Sequence, residues 1–165
     1  MNKLIPDKVF CSVKEITPEL LLKEGKKGVI FDIDDTLISH KMTLIPENII
    51  KYISDLKSKG IRIALVSNGR PERVSVISQG LGLFATPKAG KPKKDALKSC
   101  LEHLDLPLEQ VVFVGDQIFT DILCAKRNHL SGYLVKPIDK YENPFFYIKR
   151  VLEKPVLKKY YKRKK

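Results

Sequence analysis

Apolar runs alternate with amphipathic segments along the chain. Four runs are almost entirely apolar, as in strands that a parallel sheet buries on both faces. They cover residues 28–31, 61–66, 111–114 and 132–135, and Arg62 is the one charged residue among them. A short fifth strand fits between residues 67 and 91. Apolar spacings of three and four, with Pro and Gly at the ends, predict helices over residues 17–25, 46–60, 71–80, 92–104, 118–128 and 145–152. This order predicts an α/β fold: a Rossmann-like parallel sheet of about five strands with helices on both faces.

Polar side chains follow three of the predicted strands. They are Asp32, Asp34 and Thr36 after the first, Ser67 and Asn68 after the second, and Asp116 and Asp121 after the run 111–114. Because the carboxyl ends of parallel strands lie side by side, these side chains should meet in one crevice. Crowded carboxylates repel one another unless a cation lies among them, and these hard oxygen ligands favour Mg²⁺. Such a site, with hydroxyl groups and a lysine nearby, indicates phosphoryl transfer.

Four segments resemble the motifs of the haloacid dehalogenase (HAD) phosphatases, in the same order. Residues 29–37, VIFDIDDTL, resemble the first motif, DxDxT after a buried strand, and residues 66–69, VSNG, resemble the second. Lys91-Pro92 resembles the third motif, and GDQ at 115–117 with Thr120-Asp121 resembles the fourth. Residues 4–7, 16–20 and 114–117 extend the similarity to the YqeG-type branch of HAD subfamily IIIA. The resemblance covers roughly residues 4 to 138.

The resemblance implies roles for two carboxylates. Asp32 would be the nucleophile that becomes an aspartyl-phosphate, and Asp34 would be the general acid for the leaving oxygen and then the general base for water. Two positions along an extended segment put both carboxylates on one side, with Ile33 turned to the core.

The resemblance also implies a phosphate site and a metal site. The phosphate-binding residues would be Thr36, Ser67, Asn68 and Lys91, and the ligands of Mg²⁺ would be Asp32, Asp116 and the backbone carbonyl of Asp34. Asp121 would lie in an outer shell and orient Lys91 or metal-bound water. Purely structural interpretations remain open: Thr36 as the cap of a turn, residues 67–69 as an ordinary turn, and Asp121 as an acid at a helix start.

The spacing between the motifs leaves no room for a cap domain. A single helix fills much of the segment from Thr36 to Ser67, and another helix with a short strand fills the segment from Ser67 to Lys91. An open, capless site favours a large or surface-held substrate. The YqeG-type branch is similar to phosphatases that convert phosphatidylglycerophosphate to phosphatidylglycerol. Three alternatives stay open: a phosphatase of nucleic-acid ends, a phosphatase of small metabolites, and a non-catalytic phospho-binding or partner-binding module.

Charge is concentrated at the C-terminus. The net charge is +12, and residues 149–165 contain nine basic residues and one acidic residue. We therefore divide the chain into a HAD-like domain at 1–148 and a basic helix end and tail at 149–165. The tail is either a solvated, disordered end or a contact with a polyanion, which could be an anionic membrane or nucleic acid.

Targeting segments and cysteine usage indicate the cellular compartment. No signal peptide or membrane span is evident in the sequence. The cysteines, Cys11, Cys100 and Cys124, are odd in number and lack metal-ligand spacing, which indicates buried or idle thiols of a reducing compartment. We expect a cytoplasmic protein that is either soluble or peripheral on a membrane. The sequence does not indicate the oligomeric state.

Overall fold

The computed structural model describes residues 3–139 and 144–164. Six parallel strands form one sheet in this part of the chain. In chain order they are β1 (Lys8–Phe10), β2 (Gly28–Asp32), β3 (Arg62–Val66), β4 (Phe84–Thr86), β5 (Val111–Gly115) and β6 (Ser131–Val135), and the spatial order is β1-β6-β5-β2-β3-β4. The predicted parallel α/β fold is confirmed. The structure has one strand more than the five that the sequence predicts. The additional strand is β1, a partly buried edge strand of three residues, which is too short to give a recognisable apolar run.

Helices cover both faces of the sheet. They are α1 (Pro18–Lys23), α2 (Glu47–Ser58), α3 (Pro71–Leu81), α4 (Lys98–Leu104), α5 (Leu123–Arg127) and α6 (Pro144–Lys164). Helices α1 to α3 pack on one face and α4 to α6 on the other, to judge from the apolar clusters that they join. The predicted helix at 92–104 begins with a 3-10 turn at Lys94–Leu97, and the one at 118–128 begins with a π-helical turn at Ile118–Ile122.

The apolar spacing in α2 predicts one buried face made of Ile49, Ile50, Ile53 and Leu56, and the structure corrects this prediction at one position. Ile49, Ile53 and Leu56 are buried as the pattern predicted, but Ile50 is 45% exposed. A neighbouring helical position is rotated by about 100°. Ile50 therefore lies outside the narrow stripe that faces the sheet. Of the three cysteines, all free thiols, Cys100 and Cys124 are buried and Cys11 is exposed.

Helix α6 is longer than the sequence pattern predicted. The expected helix spanned 145–152, whereas α6 runs to Lys164 and contains Pro155. An internal proline removes one backbone hydrogen bond. Val156 and Leu157 pack against Ile118, Ile122 and Leu134, and this apolar contact supports the helix past the proline. Across residues 3–139 and 144–164, no helix combines the length and the apolar content needed to cross a bilayer.

Candidate active site

The carboxyl ends of β2, β3 and β5 form the cleft that the sequence analysis anticipated. Asp32 ends β2 and pairs in register with Val66, the last residue of β3, while Phe31 pairs with Val114 of β5. The side chains that follow these strands therefore lie side by side. The cleft has a volume of about 200 Å³ and is lined by Asp32, Asp34, Ser67, Asn68, Gly69, Lys91, Gln117, Thr120 and Lys149.

We call the buried part of the site the floor; its residues are Asp32, Thr36, Lys91, Asp116 and Asp121. The Lys91 ammonium donates to Oδ1 of Asp32 at 2.5 Å and to Oδ1 of Asp121 at 2.8 Å. The Thr36 hydroxyl donates to Oδ2 of Asp32 at 3.1 Å and lies 3.4 Å from Oδ1 of Asp116. Both oxygens of Asp32 are thus held by a donor, so the carboxylate has a fixed orientation.

Two local features position Lys91 and Asp121. The Asn68 side chain donates to the backbone carbonyl of Lys91 at 3.1 Å and accepts from its N–H at 2.8 Å. Asp121 accepts from the Gln117 N–H at 3.0 Å. A Cβ atom at Gly115 would lie 2.4 Å from the Asp121 side chain, so glycine is required for this close approach.

The floor could hold a cation. Asp32, Asp116 and Asp121 each place a carboxylate oxygen within 4.8 Å of the other two. All of these donors are hard oxygens, which fits Mg²⁺ or a similar divalent ion.

Burial and mutual repulsion shape the charges of these carboxylates. Burial raises the pKa of Asp32 to about 7; Lys91 opposes this shift and the Asp121 charge adds to it. The pKa of Asp116 is also raised well above its usual value by burial and by the Asp121 and Asp32 charges, against the effect of Arg150. Burial alone would lower the pKa of Lys91, but Asp121 and Asp32 raise it above its usual value. Burial and mutual repulsion thus destabilise the ionised carboxylates of the floor, and a divalent cation among them would stabilise their negative charge.

The rim of the cleft consists of Asp34 and Arg73, and the buried Ser67 lies next to Asp34. The Asp34 side chain is 26% exposed, and its Oδ1 accepts from Nε of Arg73 at 3.0 Å. The Ser67 hydroxyl lies 3.4 Å from Oδ2 of Asp34 and accepts from the Gly69 N–H at 2.9 Å. The second carboxylate of the DxD segment therefore faces the open side of the cleft.

Sequence reasoning missed the residues that reach the site from distant helices. Arg150 of α6 donates to Oδ2 and to the backbone carbonyl of Asp116, and to Glu153 at 2.9 Å. Glu153 in turn accepts from the Ile118 N–H at 2.7 Å. Arg73 of α3 contacts Asp34 in the same long-range way. No local pattern marks either arginine among the 31 basic residues of the chain.

All eight predicted site residues lie at this cleft. The structure brings together Asp32, Asp34, Thr36, Ser67, Asn68, Lys91, Asp116 and Asp121. Two of them position a neighbouring residue: the Thr36 hydroxyl hydrogen-bonds to the Asp32 carboxylate, and the Asn68 side chain hydrogen-bonds to the backbone of Lys91. Their chemical roles stay predictions.

Comparison with known proteins identifies the class. A family model described as haloacid dehalogenase-like hydrolase matches residues 40–129. The chain therefore belongs to the haloacid dehalogenase-like hydrolases. The matched range includes Ser67, Lys91 and Asp116, and the DxD segment with Asp32 and Asp34 lies just before it.

Individual relatives show which group of this hydrolase family the chain resembles. The chain is 32% identical to "Probable phosphatase YqeG" of Bacillus subtilis (strain 168), over 93% of this chain and 89% of that protein. It is 26% identical to phosphatidylglycerophosphate phosphatase 1, chloroplastic/mitochondrial, of Arabidopsis thaliana, over 95% of this chain but 48% of the plant protein. The predicted resemblance to HAD phosphatases of the YqeG type is confirmed, and the chain is an enzyme of this phosphatase group.

Solved structures support the fold. An uncharacterized protein from Listeria monocytogenes serotype 4b superposes with a TM-score of 0.55 at 18% identity, over 72% of this chain and 85% of that chain. The 3-deoxy-D-manno-octulosonate 8-phosphate phosphatase of Yersinia pestis gives a TM-score of 0.50 at 16% identity, over 71% of this chain and 67% of that chain. At these identities the likeness concerns the fold alone.

Proposed function

We propose that the protein is a Mg²⁺-dependent phosphomonoester hydrolase that works through an aspartyl-phosphate on Asp32. One observation carries the proposal: a buried carboxylate with both oxygens held lies next to a second carboxylate that faces the open cleft. The first arrangement suits a nucleophile, and the second suits a group that exchanges protons with substrate and water.

The first step transfers the phosphoryl group from the substrate to Asp32, with one bond to phosphorus formed and one broken. An Asp32 oxygen forms a bond to phosphorus while the bond from phosphorus to the leaving oxygen breaks. The Asp34 carboxyl group gives its proton to that leaving oxygen. Lys91 offsets negative charge on Asp32 and on the phosphoryl group, and the Ser67 hydroxyl is within reach of a phosphate oxygen at the rim.

The second step restores the enzyme. Water attacks phosphorus and loses a proton to the Asp34 carboxylate, and the bond between phosphorus and the Asp32 oxygen breaks. Inorganic phosphate leaves, and both aspartates return to their starting states. The same group thus serves as acid and then as base, as expected when its proton must be replaced in every turnover.

Asp32, Asp116 and the backbone carbonyl of Asp34 would hold the Mg²⁺, with Asp121 beside them. The bound cation would neutralise the charge between the nucleophile and the phosphoryl group. Arg150 holds Oδ2 of Asp116, which leaves Oδ1, the oxygen near Thr36 and Asp32, directed at the cation site. We assign Arg150 as a positioning residue for this ligand.

Phosphatidylglycerophosphate is the substrate that we propose. Two named relatives, from Arabidopsis thaliana and Chlamydomonas reinhardtii, are phosphatidylglycerophosphate phosphatases, each matched over about half of its length. Helix α2 alone separates β2 from β3, so the described residues place no inserted cap between these strands. An uncapped cleft suits a phosphate carried on a lipid at a surface, and we expect the enzyme to work in the cytoplasm at a membrane.

The test measures phosphate release with and without Mg²⁺. The substrates are phosphatidylglycerophosphate in vesicles, 5′-phosphorylated DNA and sugar phosphates, and the variants are wild type, Asp32→Asn and the control Asp55→Asn on the surface of α2. Release from the lipid that requires Mg²⁺ and Asp32 but not Asp55 supports the proposal. Release from DNA ends or sugar phosphates alone refutes the lipid substrate, and no Mg²⁺-dependent release refutes the enzymatic proposal.

A further inference from the structure

We propose that the outer face of α6 is a docking surface for an anionic lipid bilayer, placed beside the mouth of the catalytic cleft. We define this outer face as an apolar part, Tyr147, Ile148, Val151 and Leu152, followed by a basic part, Lys154, Lys158, Lys159, Lys162 and Arg163. The inference rests on the proposed function and adds to it the surface by which the enzyme would reach a lipid substrate.

The apolar part is exposed to an unusual degree. Tyr147 is 68% exposed, Ile148 and Leu152 are each 56% exposed, and Val151 is 40% exposed. Residues three and four positions apart lie on the same side of a helix, so these side chains form one patch. The opposite side of α6 packs on the domain through Glu153 and Tyr160, both buried. Clustered exposed apolar side chains mark a surface that contacts a partner.

Charge identifies the partner. Residues 144–164 contain eight basic residues and one acidic residue, Glu153. Glu153 is directed inward, where it accepts from Arg150 and from the Ile118 N–H. Between residues 147 and 163, the outer face therefore carries basic side chains and no acidic one, next to apolar side chains. An amphipathic helix with exposed apolar residues and flanking lysines matches the interface of an anionic bilayer, whereas nucleic acid would not require the aliphatic patch.

The position of the patch connects it with catalysis. Lys149 lines the cleft together with Asp32 and Asp34, and Ile148 is its chain neighbour. Leu152 lies one helical turn further on, and Arg150 on the inner side contacts Asp116. A bilayer against the outer face of α6 would thus bring lipid headgroups to the rim of the cleft.

The experiment measures sedimentation of the full-length protein with vesicles, without substrate. One vesicle is pure phosphatidylcholine and the other contains about one-third phosphatidylglycerol. The variants are Ile148→Ser/Leu152→Ser and Lys158→Gln/Lys162→Gln. The matched controls replace exposed residues elsewhere: Ile50→Ser/Val76→Ser on α2 and α3, on the other side of the sheet, and Lys51→Gln/Lys59→Gln. Circular dichroism and size-exclusion chromatography with light scattering check the fold and the oligomeric state.

We expect the wild type to bind the anionic vesicles far more tightly than the neutral ones. Each Lys or Arg near an anionic surface contributes roughly a fivefold increase in partitioning, so the lysine pair variant should lose about tenfold or more. The serine pair should lose about tenfold through reduced apolar burial, and both controls should match the wild type. Three results would each overturn the proposal. They are equal vesicle binding by all variants, binding to a DNA duplex but not to vesicles, and a wild-type dimer that the Ile148→Ser/Leu152→Ser variant no longer forms.

A separate assay keeps this outcome distinct from that of the proposed function. Hydrolysis of phosphatidylglycerophosphate dispersed in neutral detergent micelles tests the substrate without a charged surface. Vesicle binding without such hydrolysis upholds the docking surface and refutes the lipid substrate. Hydrolysis in micelles without vesicle binding refutes the docking surface and leaves the proposed function standing.

Discussion

Asp32 and Asp34 are separated by one residue, yet their carboxyl groups lie in different surroundings. On the floor, the Asp32 side chain is 7% exposed and is held by Lys91 and Thr36. At the rim, the Asp34 side chain is 26% exposed and contacts Arg73, itself partly exposed. The comparison teaches that burial and fixed donors, more than residue type, suit one aspartate to attack phosphorus and the other to exchange protons with substrate and water.

Removing the floor carboxylate should have the largest effect. Asp32→Asn keeps the shape of the side chain but cannot form an acyl phosphate, so we expect kcat to fall by about 10⁴-fold or more. Steady-state phosphate release measures this loss. The control Asp55→Asn should retain wild-type activity. An Asp32→Asn variant within tenfold of wild type would contradict the assignment.

Removing the rim carboxylate should be less damaging and should depend on the leaving group. For Asp34→Asn we expect a loss of about 10²–10⁴-fold with an alkyl phosphate, because both proton transfers lose their partner. With para-nitrophenyl phosphate the first transfer is unnecessary, so the phosphoenzyme should accumulate while its hydrolysis stays slow. Rapid-quench kinetics with both substrates measure the two steps. Equal losses in the first step for both leaving groups would argue against Asp34 as the acid.

The floor should also make stability depend on pH in the metal-free protein. The pKa of Asp32 is raised from 3.8 to about 7 by burial, so the folded state holds its proton more tightly than the unfolded state does. Stability from this group is therefore present at low pH and is lost as the pH rises from about 4 to 7.

Unfolding in urea with EDTA at pH 4.5 and 7.5 checks this sign. Relative to Asp32→Asn, the wild type should lose roughly 2–4 kcal/mol of unfolding free energy between these pH values. A pH-independent difference between wild type and variant would show that Asp32 ionises normally.

The smallest of the predicted effects concerns Arg150, which connects α6 to the floor. Arg150→Met should weaken Mg²⁺ binding by about tenfold, because Asp116 loses the donor that orients it. Arg150→Lys should restore part of the affinity, and Arg163→Met, on the outer face of the same helix, should match the wild type. Isothermal titration with Mg²⁺ measures the affinity without substrate. Unchanged affinity in Arg150→Met would remove its positioning role.

The floor and the rim were predictable from the sequence to different extents. Asp32, Ser67 and Asp116 follow continuous apolar runs, and parallel strands bring such positions together whatever their separation in the chain. The contacts of Arg73 and Arg150 were not predictable, because they depend on how α3 and α6 pack and on no local signal. The length of α6 was missed for a related reason: its basic sequence and Pro155 suggest a tail, and packing of Val156 and Leu157 supports the helix.

The most direct test of the central claim is to locate the phosphoryl group during turnover. Asp34→Asn is mixed with para-nitrophenyl phosphate and Mg²⁺, quenched in acid within the first turnover and digested for peptide mass spectrometry, with Asp32→Asn/Asp34→Asn as the control. We predict a base-labile phosphoryl group on Asp32 in the single variant and none in the double variant. Hydrolysis without a phosphoenzyme, or a phosphoryl group on another side chain, would contradict the account.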